Sequence, residues 1–254
     1  MNLGIDWGIV GPALIAGLLV LATHVPLGLQ VLRKGIVFID LAIAQIAGLG
    51  VIAADALGWE PQGWAVQAAA MAAAVAGAML MTWMERRWPD IQEALIGALF
   101  VLASSVGILL LAGNPHGGEH LKDLLVGQIL WVTPGQLWAE AGLTAALLAL
   151  WFGLGPRLGR VGFYLLFAVA VTASVQLVGV YLVFSSLIMP ALAVRHAAAR
   201  WQLPLAWLGG ALAYALGLAL SAVLVLPSGA VVVVVMAGVC TGVAVGLAQR
   251  RAAA

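Results

Sequence analysis

Between Val161 and Met189 the chain reads VGFYLLFAVAVTASVQLVGVYLVFSSLIM, 29 residues without a charge. One bilayer crossing takes about 20 apolar residues, so the run is long for one helix and short for two full spans. Its reading decides the side of the membrane on which everything after it lies. As a single crossing it would put Arg157 and Arg160 on one face and Arg195 and Arg200 on the other. As two short helices turning near Val178–Val180, it puts Arg33, Lys34, Arg86, Arg87, Arg157, Arg160, Arg195, Arg200, Arg250 and Arg251 on one face and leaves only Lys122 opposite. Cytoplasmic loops carry the excess of Lys and Arg. The expectation is therefore an all-α polytopic bundle of about nine membrane segments, with the N-terminus outside and the C-terminus in the cytoplasm.

The other runs are Trp7–Leu32, Ile36–Ala54, Gly63–Met84, Ala94–Ala112, Leu137–Gly155, Leu203–Leu226 and Ala230–Leu247. Composition requires such a fold. Of 254 residues, 64% are hydrophobic and 8% charged, against about 25% charged in a soluble domain. There is too little polar surface to cover a water-facing globule. Trp59, Trp64, Trp88, Trp138 and Trp201 stand at run ends, where indole rings favour the membrane interface. The net charge of +1 and the scattered basic pairs form no nucleic-acid patch. Cys240, the one cysteine, allows no intrachain disulfide and sits in a small, apolar context. The opening MNLGIDWG lacks the basic start of a cleaved signal peptide, so the first run is expected to be retained. With no linker and no repeat, residues 1–254 read as one transmembrane domain.

Candidate chemistry is sparse. A phosphate-binding loop needs Gly-x-x-x-x-Gly-Lys-Ser/Thr. The two lysines, Lys34 before Gly35 and Lys122 before Asp123, do not fit it. Any coupling to ATP must then come from another subunit. The stretch NPHGGEHLKD gathers His116, Glu119 and His120. It matches the H-x-x-E-H of a zinc-peptidase class, but that motif works on a helix. Here a proline precedes it and two glycines lie within it, which makes it a loop. It either receives a divalent metal or is an ordinary solvated connection.

FIDLAIAQIAG, residues 38–48, puts Asp40 into an apolar run. On a helix Asp40 shares a small-residue face with Ala44, Ala47 and Gly48, while Gln45 points about 140° away. Asp40 either pairs with Arg33 and Lys34 at the interface or faces a pathway, the default reading of an intramembrane carboxylate. His24, beside Pro26, is either a packing residue or exposed to an internal cavity by a kink. Imidazole with carboxylate suits Zn²⁺, Mn²⁺ or Fe²⁺. Further on, the apolar run ends at Pro190, and a short helix carrying Arg195, His196 and Arg200 is expected before the next span. It is either a connector or a docking element.

PLGLQVLRKGIVFIDLAIAQIAGLG, EALIGALFVLASSVGILLL, DLLVGQILWVTPGQLW, VGVYLVFSSLIMPALAVR and LPSGAVVVV together resemble the permease subunits of bacterial ABC importers for zinc and manganese, the metal-ion (ABC-3) permease family. The resemblance runs over nearly the whole chain. It implies a homodimer around a central pathway in the bacterial inner membrane, in contact with lipid. Cytoplasmic ATPase subunits would drive it and an extracytoplasmic metal-binding protein would feed it. Zn²⁺ or Mn²⁺ would be cargo, with no permanently bound cofactor and no covalent chemistry of its own. The segment P-A-x-A-x-R resembles the family's coupling helix and implies docking through Pro190, Ala191, Ala193 and Arg195. Two departures stand out. The family's commoner pattern has a histidine four residues after the aspartate; here that position is Ala44, Gln45 is the nearest polar residue, and His24 is the candidate for the missing nitrogen. The connection GPRLGR is also short. The alternatives are a permease for a metal chelate of the siderophore type, an intramembrane zinc metallopeptidase, and a stand-alone channel or carrier.

Overall fold

The computed structural model describes residues 6–57, 59, 63–111, 125 and 127–252. Among them are nine α-helices: α1 Trp7–Lys34, α2 Ile39–Ala56, α3 Trp64–Arg87, α4 Gln92–Leu111, α5 Pro134–Leu154, α6 Gly159–Val178, α7 Val180–Ala193, α8 Ala199–Leu224 and α9 Ser228–Ala252. All except α2 and the 14-residue α7 are counted as long and apolar enough to cross a bilayer. The chain is a multi-pass membrane protein with an all-α fold. Several helices run two or three residues past the apolar runs, because their last turns carry basic residues: Arg33 and Lys34 on α1, Arg86 and Arg87 on α3. Cations there complement the negative end of the helix dipole.

The 29-residue run is a helical hairpin. α6 ends at Val178, Gly179 takes φ 83° and ψ 161°, and α7 starts at Val180. Hydrogen bonds and ion pairs place both outer ends of this hairpin at one face of the bundle. At the start of α6, Arg160 Nε lies 3.7 Å from Glu85 Oε1 of α3, which also accepts Lys34 Nζ of α1 at 3.3 Å. Just beyond α7, Gln202 donates to the Ala197 carbonyl and its Oε1 accepts Arg33 Nη2 at 3.0 Å. A continuous helix over the same residues would span about 50 Å and could not return to this face. The basic ends of α1 and α3 and the starts of α6 and α8 thus share one side, the side that the positive-inside rule assigns to the cytoplasm.

One expected element is absent. No short helix carries Arg195, His196 and Arg200. Instead α7 continues through Pro190 to Ala193, residues 194–197 form a turn, and Arg200 stands in the first turn of α8. The proline ring removes one hydrogen bond but does not end the helix, because α7 is packed over most of its surface.

Packing divides the helices into two groups. α2, α3, α4 and α6 form one; α1, α5, α7, α8 and α9 form the other. Small residues allow the close contacts, as in membrane bundles generally. A Cβ on Gly17 would collide with the Tyr214 ring, and one on Gly210 with Leu21, so α1 and α8 meet nearly backbone to side chain. Gly127, with φ 71°, sits so close to the Val178–Gly179 peptide that no side chain fits, which seats the segment before α5 on the α6–α7 turn.

Candidate functional site

Asp40 lies in the first turn of α2 and is 1% exposed. Its Oδ1 accepts the Leu41 N–H at 2.8 Å. The α2 N-terminus has no side-chain cap of its own, since Phe38 cannot provide one. Glu93 of α4 takes that role across helices, accepting the Phe38 N–H at 3.2 Å. Two carboxylates therefore sit at one helix N-terminus, where unsatisfied N–H groups and the helix dipole favour negative charge. The interfacial pairing considered for Asp40 is not formed: Lys34 is taken by Glu85 and Arg33 by Gln202.

The direction Asp40 faces follows from its own helix. Ile43, Ile46 and Gly50 turn toward α3, meeting Gly77 and the Ala69–Ala70 backbone, and Leu49 and Ile52 meet Gly107 of α4. At about 100° per residue Asp40, Ala44 and Ala47, all buried, form a third face. α2 also packs against α6 and α7, so this face looks into the bundle, as the small-residue stripe predicts. Gln45 is half-buried and on another side of α2.

His24 is fully buried within α1. Its Nδ1 lies 2.9 Å from the Val20 carbonyl and 3.0 Å from Thr23 Oγ1, and Nε2 has no partner among the described residues. α1 runs unbroken through Pro26, and the imidazole remains fully buried. The two residues are also apart. α1 and α2 share no extensive packing, and His24 precedes Lys34 by ten residues, about 15 Å of helix. Asp40 stands near the end of the bundle where Lys34 lies. Two ligands of one transition-metal ion must lie within roughly 4 Å of each other, given metal–ligand bonds of about 2.1 Å. The structure does not bring His24 to Asp40, and their side chains show no contact with each other. Among the described residues no three His, Cys, Asp or Glu come together as a metal site. His116, Glu119 and His120 lie outside the described residues.

At the α7–α8 turn the four candidate docking residues divide. Pro190, Ala191 and Ala193 are buried, whereas Leu192 and Arg195 are exposed. Arg195 Nε donates to His196 Nε2 at 3.0 Å. A partner at this turn would meet Leu192, Arg195 and His196. The buried three hold α7 in the bundle.

Several polar residues escaped the sequence reading. Glu85, just past the apolar run Gly63–Met84, bridges Lys34 and Arg160. Gln92 donates to the Tyr164 hydroxyl, joining α4 to α6. Glu140, 8% exposed inside α5, accepts a long 3.5 Å bond from Ser174 of α6. A lone carboxylate within the run Leu137–Gly155 was its available signal.

The sequence profile of the ABC 3 transport family matches residues 7–154 and 146–245. Two solved structures share the fold. PsaBC from Streptococcus pneumoniae, in complex with Fab, superimposes with a TM-score of 0.74 at 21% identity, over 92% of this chain and 90% of that one. A protein described as a metal-chelate type ABC transporter, in an inward-facing conformation, gives 0.70 at 18% identity, over 92% and 84%. An uncharacterized membrane protein of Synechocystis is 28% identical over 133 residues, 45% of this chain, and the match spans 47% of that relative.

Proposed function

We propose that this chain, which belongs to the ABC 3 transport family, is the permease that passes a divalent transition metal, zinc or manganese, into the bacterial cytoplasm. The observation that carries the metal reading is Asp40. Its carboxylate is buried, has no cation beside it among the described residues, and lies on the face of α2 turned to the interior of the bundle. In that position it can replace part of a metal ion's hydration shell. Oxygen ligation and the absence of a histidine at Ala44 lean toward a hard ion such as Mn²⁺ over Zn²⁺.

The work of transport falls to parts outside the chain and to α7 within it. Cytoplasmic ATPase subunits would bind two copies of the permease at the α7–α8 turn, and an extracytoplasmic binding protein would deliver the metal. Leu192 and Arg195 offer one apolar and one cationic contact at the turn. Immediately above them α7 is packed against α1 and α9, so a force on the turn reaches the core. A metal chelate is the second reading, and the likeness to the metal-chelate type transporter favours keeping it.

The experiment is uptake of radioactive Mn²⁺ or Zn²⁺ by cells expressing the permease with its partners, compared with Asp40→Asn at matched expression. Loss of uptake by the variant supports the reading. Uptake that occurs only when the metal is supplied with a chelator, and then in a fixed ratio to it, would replace the free ion with the chelate.

A further inference from the structure

Arg33 and Lys34 are adjacent at the end of α1 but are used differently. Lys34 is held by Glu85, with its Nζ 5.3 Å from the centre of the Phe163 ring. Arg33 is exposed, and among the described residues no carboxylate pairs with it. Its guanidinium donates only to the amide oxygen of Gln202. The surplus charge lies in a cleft over the cytoplasmic end of α1. Gln30, Arg33 and Gln202 supply the polar side of the cleft, and Leu29, Trp151 and Leu203 the apolar side.

The packing of the helices determines where this cleft opens. α1 packs against both α5, which carries Trp151, and α8, which carries Gln202 and Leu203, whereas α5 and α8 pack on each other little if at all. The cleft lies between them, over α1. Its polar end, at Arg33 and Gln202, is at the basic face, where the positive-inside rule puts the headgroups of the cytoplasmic leaflet. Its apolar residues, Leu29, Trp151 and Leu203, belong to the apolar stretches of their helices. Arg200, one residue from the cleft wall, stacks over Trp201 at 5.9 Å and adds a second cation at the same level.

We propose that this cleft binds an anionic phospholipid of the cytoplasmic leaflet. Arg33 and the Gln202 and Gln30 amides hold the phosphodiester, and an acyl chain lies along Leu29, Trp151 and Leu203. The charge complementarity is specific. A zwitterionic headgroup brings its own cation toward Arg33 and Arg200, whereas phosphatidylglycerol brings only the phosphate. Basic pockets between membrane helices at the cytoplasmic side take such lipids on the same physical grounds, and a planar guanidinium suits the phosphate better than an ammonium would. The site is independent of what the permease carries.

The test uses the full-length chain purified in a mild detergent and exposed to mixed micelles of phosphatidylglycerol and phosphatidylcholine, with retained lipids counted by native mass spectrometry. The wild type should retain phosphatidylglycerol in preference. Arg33→Gln should lower that preference about fivefold, the loss expected for one interfacial cation. Arg86→Gln, at the end of α3 and outside the cleft, should leave it unchanged. If Arg33→Gln does not fold, Gln202→Glu places a carboxylate against Arg33, neutralises it in place, and should give the same loss. Equal retention by the wild type and either cleft variant overturns the proposal. So does an equal loss in Arg86→Gln, which would mean general surface charge. Displacement of the lipid by inorganic phosphate alone would assign the cleft to a free anion. A shift from dimer to monomer in Arg33→Gln, with no dependence on lipid, would assign it to a second copy of the chain.

Discussion

Gly28 of α1 meets Leu187 of α7 so closely that a Cβ on the glycine would fall on the leucine's carbonyl oxygen. This is a backbone-to-backbone contact, with no flexible side chain to give way. Gly28→Ala should therefore cost about 1–3 kcal/mol, the range for overpacking a tight core. Thermal unfolding of the detergent-solubilised chain should show the loss. Gly142→Ala is the control: a Cβ there meets nothing within 4 Å, and removing a mid-helix glycine should be neutral or stabilise by about 0.5–1 kcal/mol. An unchanged melting temperature in Gly28→Ala would mean that α1 and α7 are not in register as described.

Asp40→Asn should reduce metal uptake to the level of cells without the permease, with expression and melting temperature preserved. Taking a charge out of the membrane interior does not oppose insertion. Neutralising Arg33 or Lys34 should not reproduce this phenotype, because neither touches Asp40. His24→Ala should also differ, since the imidazole is too far away to share the ion. A shared loss of uptake in Asp40→Asn and His24→Ala, with both proteins stable, would revive a joint site.

Arg195→Glu inverts the charge of the exposed residue at the α7–α8 turn. The complex should lose metal-stimulated ATP hydrolysis while the permease itself folds normally. Ala193→Ser, at a buried neighbour, should act through stability instead. Full stimulation of the ATPase in Arg195→Glu would remove the turn from consideration as the docking point.

Cysteines at Ala198 and Val225, in a Cys240→Ala background, should react with an impermeant maleimide from opposite sides of the membrane. Ala198 precedes α8 at the basic end, and Val225, 88% exposed, follows it at the other. Labelling of both from outside would invalidate the hairpin reading of α6 and α7.

Reversal of the chain near Val178–Val180 was legible because ten basic residues had to be sorted and only a hairpin sorts them. The exact ends were less so. Arg33, Lys34, Arg86 and Arg87 stop an apolar run, yet their aliphatic stems let the helix continue while the charges reach the interface. Pro190 misled in the opposite sense: it was read as the end of a run, but tertiary packing carries the helix past it. The burial of Asp40 followed from its small-residue face. Its lack of a basic partner did not, because that depends on Glu85, 51 residues from Lys34, and on Gln202. The separation of His24 from Asp40 likewise needed the knowledge that α1 and α2, joined by a tight turn, diverge to different groups of helices.

The 14-residue α7 is a rod about 21 Å long, with one end at the cytoplasmic surface and the other at Gly179 inside the bundle. An α-helix hardly compresses along its axis, and the packing that carries α7 through Pro190 keeps it one rod, so an axial push on the Leu192–Arg195 end is passed toward Gly179. There the Val178–Gly179 peptide already abuts Gly127 with no slack. The rod thus behaves as a piston without dead travel. Even an ångström-scale stroke from below would press on the segment that begins at Gly127 and includes Ile129–Trp131, about 21 Å from where the stroke was delivered.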